Sequence, residues 1–145
     1  MSPQTQTYAN HVRWFPLVHF VILPIVILNF IYQTVRFFQE PGLDRGVWVV
    51  LCLAIVLMVF ASRLQALRAQ DRVIRLEERL RYMDLLPVDA AARAANFRTN
   101  QIVALRFASD GELPDLVAAV TDGKLTTSKE IKMAIKHWRG DYLRV

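Results

Sequence analysis

The chain has 145 residues, 54% of them hydrophobic, with a mean hydropathy of +0.25 and a formal net charge of +5. That is too apolar for an ordinary soluble domain of this size and points to membrane spans. The single cysteine, Cys52, excludes an intramolecular disulfide and gives no zinc or redox motif.

Residues 1–13 read as a polar cytoplasmic tail. Residues 14–38, WFPLVHFVILPIVILNFIYQTVRFF, form a mostly apolar run. A bilayer core of roughly 30 Å needs about 20 helical residues, so the run predicts a first transmembrane helix. It is too long for the apolar core of a signal peptide, and no small-residue cleavage site follows. Four polar residues interrupt it: His19, Asn29, Gln33 and Arg36. At about 100° per residue they share one arc of roughly 100°, an intramembrane polar face that should point at protein or water. The second run offers only the Cys52 thiol in return, so a partner outside the chain is expected to meet this face. His19 as a haem or pigment ligand is the sharper alternative. A lone histidine does not require it, and no cofactor is expected. Pro24 frees the carbonyl of Phe20 for a side chain nearby.

Residues 39–46, QEPGLDRG, hold a Pro-Gly turn signal and predict a short external loop, with Asp44 as a cap for the next helix. Residues 47–83 predict a second transmembrane helix, apolar over 47–61, that continues without Pro or Gly as an amphipathic cytosolic helix. Arg45 and Arg63 can snorkel to the two interfaces, and Trp14 and Trp48 fall at opposite ones. Arg63, Arg68, Arg72 and Arg75 follow the span as headgroup-facing basic residues, whereas the loop has one arginine. Residues 62–145 carry 15 Lys and Arg against 11 Asp and Glu. Both termini should then be cytoplasmic, in a bacterial inner membrane with anionic headgroups. Ala66, Ala69, Val73, Leu76, Leu80 and Met83 follow 3-4-3-4-3 spacing, a helix-packing stripe for the chain's own domain or a second chain.

Residues 84–145 predict a small helical cytosolic domain. Pro87 ends the long helix, and Asp89 caps VDAAARAAN. Thr99 or Asn100 opens QIVALRFA. Ser109 with Glu112, and Thr127 with Glu130, form two capping boxes. Gly123 stops the first of these helices and Gly140 the second. Ile131, Ile135 and Trp138 should face the core. Lys129, Lys132, Lys136 and Arg139 would then share the basic face of the last helix. A solvated surface is the plain reading of that face. Nucleic acid is the lesser one, since the connection 122–127 is longer than a helix-turn-helix turn and acids surround it.

There is no phosphate loop, metal-ligand spacing or nucleophile elbow, and His11, His19 and His137 are scattered. No catalytic or metal-binding residue is assigned. With LRFASDGELPDLV (105–117), IKMAIKHWRGDYLRV (131–145) and RLEERLR (75–81), the chain resembles a family of small bacterial two-span membrane proteins catalogued as a domain of unknown function. That resemblance implies the layout above and no activity. The sequence thus predicts an all-α membrane protein that works by association, as an accessory or assembly subunit of a membrane complex or as a homo-oligomeric scaffold. A small channel or transporter lined by the His19/Asn29/Gln33 face is the first alternative. A membrane-tethered nucleic-acid binder is the second.

Overall fold

The computed structural model describes residues 7–8 and 14–142. Apart from Thr7 and Tyr8, the tail expected over residues 1–13, with His11, lies outside the described residues. Six α-helices follow in order: α1 (Leu23–Gln39), α2 (Leu43–Leu85), α3 (Val88–Ala94), α4 (Thr99–Leu105), α5 (Leu113–Thr121) and α6 (Ser128–Ala134). A π-helical turn, Leu17–Ile22, leads into α1. The described residues form no strand; one isolated antiparallel bridge joins Ala108 and Trp138. The fold is all-helical. Two helical stretches are long and apolar enough to cross a membrane: Leu17–Gln39, of mean hydropathy 1.9, and Leu43–Leu85, whose most apolar window reaches 2.5. The chain packs as two units, one ending at Leu67 and the other taking Arg68 onward together with Thr7 and Tyr8.

In the first unit, the π turn sits directly before Pro24. A proline has no N–H to donate, and its ring crowds the carbonyl four residues back. The wider turn is closed by the Leu23 N–H donating to Val18 O. α1 and α2 then run antiparallel: Asn29 meets Cys52, and Arg36 O accepts from Arg45 further along. The connection is shorter than expected. Glu40, Pro41 and Gly42 reverse the chain, and α2 begins at Leu43. Asp44 therefore sits in the first helical turn, where its charge suits the helix dipole, and is not the cap. Arg45 ties the turn together by donating to Glu40 O at 3.0 Å and pairing with the Glu40 carboxylate.

In the second unit, α3 to α6 enclose a core that Tyr82 enters from the later part of α2. Tyr82, Ile102, Leu105, Phe107, Leu113 and Ile131 are the large, fully buried side chains of the core. Gly123, at φ 75°, ends α5 as expected, with Lys124 N–H reaching back to Ala119 O at 3.0 Å. The Thr127–Glu130 box also forms: Glu130 Oε2 accepts from Thr126 N and Thr127 N at 2.8 and 3.0 Å, and Thr127 Oγ1 accepts from Glu130 N at 3.2 Å.

Two expectations fail here for one shared reason. The Glu112 carboxylate does not turn back to Ser109; it accepts from Lys136 N at 3.2 Å and His137 N at 3.0 Å. Ser109 N donates to His137 O and Arg139 N to Phe107 O. These partners take the backbone groups that helical bonds would need. α6 therefore ends at Ala134, and Ile135 is extended at ψ 123°. Ile131 and Ile135 are still buried, and Trp138 packs on Phe107 with ring centroids 5.0 Å apart.

Candidate functional site

His19, Asn29 and Arg36 of the first run find partners close by. His19 Nδ1 lies 2.9 Å from Phe15 O, at its own helix start. Asn29 Nδ2 donates to Cys52 Sγ at 3.3 Å. Arg36 pairs with Glu40 at 3.6 Å. Gln33 is half-buried on the same helix. The Cys52 thiol, the one polar group that the second run offers this face, is thus taken by Asn29. Cys52 is the one buried side chain among the described residues of this unit. Large apolar groups elsewhere on the π turn, α1 and the first part of α2 face outward, among them Phe20, Leu28, Val50 and Met58.

The later part of α2 presents two opposed faces. Ile74, Glu78 and Tyr82, each one turn apart, are buried; Tyr82 joins the core of the α3–α6 domain, and Arg139 approaches Glu78. Val73, Leu76, Leu80 and Met83 are 52%, 62%, 61% and 64% exposed. At about 100° per residue, the two sets are centred roughly 180° apart on the helix. The domain thus docks on the face opposite the apolar stripe. The spacing alone leaves the stripe either to the domain or to a second chain; the domain does not take it. Ala66 and Ala69, which begin the stripe, are also exposed. Of the basic residues, Arg68 and Arg72 are exposed, while Arg63 and Arg75 are half-buried.

A cleft of about 820 Å³ opens beside the docked face, with Glu78, Arg81, Arg106, Asp110, Arg139 and Asp141 among its lining. Its charges answer one another. Arg81 donates to Asp110 Oδ1 at 2.8 and 2.6 Å, to Ala108 O at 2.7 Å and to Glu78 Oε2 at 3.2 Å. Arg106 pairs with Asp141 at 3.0 Å, and Arg139 approaches Glu78 at 3.9 Å. Burial pushes the Glu78 carboxyl above its ordinary range, while Arg81 and Arg139 pull it back. Burial likewise pushes the Tyr82 hydroxyl up. Glu78, Asp110 and Asp141 are each met by a guanidinium, and the Arg81 contacts to Asp110 and Ala108 O fasten the domain to α2. Among the described residues, no group of three or more His, Cys, Asp or Glu is placed to hold a metal ion. In the chain Glu78 stands among Glu77, Arg79 and Arg81; only the Ile74–Glu78–Tyr82 spacing marks it as inward.

The basic face of the last helix must be corrected. Lys129 and Lys132 lie on α6, but Lys136 and Arg139 lie beyond its end, in the extended segment that Glu112 and Phe107 O hold. The four residues do not share a helical face. Lys132 Nζ instead stands 5.6 Å from the Phe107 ring centroid.

These features define an all-helical protein with two long apolar helices and a compact four-helix domain docked on the end of the second. The chain belongs to the DUF6526 family, a family of unknown function, whose model matches residues 1–145. No curated protein and no solved structure matches it.

Proposed function

We propose that this chain is a two-span integral membrane protein of the bacterial inner membrane that acts by association, with both termini and the α3–α6 domain in the cytoplasm. The observation that carries the association reading is the stripe Val73/Leu76/Leu80/Met83, more than half exposed on a helix whose opposite face is already covered. Exposed large side chains at helical spacing mark an interaction surface. The membrane reading is supported by the outward apolar groups of the first unit. A core helix of a soluble protein buries such groups, yet the apolar windows of the two long helices are 0% and 6% buried. Lipid is the solvent that suits them. Arg63, Arg68, Arg72 and Arg75 follow the second span and favour the cytoplasmic side for it. The Asn29–Cys52 pair weighs against a channel, since that amide is turned to its own hairpin.

The test is extraction of the full chain from native membranes in a mild detergent, with the particle's protein mass measured. The account predicts a mass above the 16.7 kDa of one chain, either as an oligomer or with a co-purifying partner. A stable, monodisperse monomer contradicts it.

A further inference from the structure

We infer that the stripe on α2 is the seam of a parallel, in-register coiled coil with a second copy of this chain. The inference rests on the association reading and names its partner. Spacing sets the heptad: Ala66, Val73 and Leu80 take the a positions, and Ala69, Leu76 and Met83 the d positions. Ile74, Glu78 and Tyr82, all buried, then fall at b, f and c, away from the seam, and Tyr82 is part of the chain's own domain core. The domain covers the back of the helix and leaves the a/d edge open.

The flanking charges choose the partner and its direction. The g positions hold Arg72 and Arg79; the e positions hold Glu77 and Asp84. In a parallel pair, a g residue faces the e residue five places further along the other helix. Arg72 of one copy then meets Glu77 of the other, and Arg79 meets Asp84. In an antiparallel pair g faces g and e faces e, so arginine would meet arginine and acid would meet acid. Arg72, Glu77 and Asp84 are exposed and available. Arg79 already donates to Ala95 O at 3.2 Å, so Arg72–Glu77 is the cleaner pair. Val73 at a with Leu76 at d favours two strands over three or four. Two and a half heptads are short for a free coiled coil. Spans inserted in a common orientation start every copy of this helix in the same direction and hold the copies at high effective concentration.

The test uses the full chain in native membranes with Cys52→Ala as background. Leu76→Cys, at a d position, should form a disulfide-linked dimer under mild oxidation, well above Val88→Cys, an exposed site off the seam. Arg72→Glu turns both symmetry-related pairs from attraction to repulsion and should lower that cross-linking about tenfold. The double exchange Arg72→Glu with Glu77→Arg should restore it. Cross-linking that ignores these exchanges overturns the parallel pairing. Leu76→Cys cross-linking no greater than that of Val88→Cys, with near-ultraviolet circular dichroism unchanged, overturns the second copy as occupant. A photo-cross-linker at Leu76 then separates the two readings. Capture of a different protein leaves association standing without self-pairing, and capture of none removes both.

Discussion

At the scale of single residues, the carboxylates divide by what surrounds them. Glu130 is fully solvated, yet hydrogen bonds from the Thr127 and Thr126 backbone hold its carboxyl below the ordinary value of 4.5. A lowered folded value means that the unfolded chain binds the proton more readily, so stability falls as the pH drops. The contribution is complete above about 4.5 and is lost on acidification through the lowered value. Glu130→Gln should therefore lower the melting temperature of the detergent-solubilised chain at neutral pH and flatten its acid limb; an unchanged acid limb would contradict this. Glu78 has the opposite sign, because burial outweighs its arginine neighbours. Both assignments depend on surroundings, and only one set is local. The partners of Glu130 lie within four residues, so the T-S-K-E spacing disclosed it. The surroundings of Glu78 include Arg139, sixty-one residues away in the chain.

At the scale of elements, the same contrast explains what was legible. The long apolar helices, the Pro-Gly reversal and the Gly123 stop follow from composition and local backbone preference, and the sequence discloses them. The end of α6 does not follow from local preference. Nothing in IKHWRG forbids a helix before Gly140. The helix stops because Glu112, more than twenty residues earlier, accepts the Lys136 and His137 N–H groups. Glu112→Ala should leave those two donors without their charged acceptor. Hydrogen bonds to a charged group are worth about 1.5–3 kcal/mol each, not additively, so a loss of about 2 kcal/mol is expected in the unfolding of the full chain in detergent. A loss below about 0.5 kcal/mol, within the range of ordinary surface substitutions, would show that Trp138 packing holds this segment without Glu112. Docking of the domain on α2 was hidden for a related reason. Sequence patterning looks for an apolar face, and the face used here carries a buried Glu78 that Arg81 offsets.

At the scale of the molecule, the apolar surface falls into two kinds. Around α1 and the first part of α2 it is continuous, as lipid requires. Along the later part of α2 it narrows to one stripe between charges, as a helical partner requires. In the proposed arrangement, the apolar start of this single helix is the stretch solvated by membrane, and its arginine-rich end is the stretch that recognises protein. The account fails as a whole if the apolar stretches are not spans. The most direct measurement labels single cysteines in intact spheroplasts with a membrane-impermeant thiol reagent, in the Cys52→Ala background. Leu43→Cys, at the hairpin turn, should react from outside, and Val88→Cys should react only after permeabilisation; both sites are strongly exposed. Labelling of both from outside, or protein recovered without membranes, would contradict the central claim.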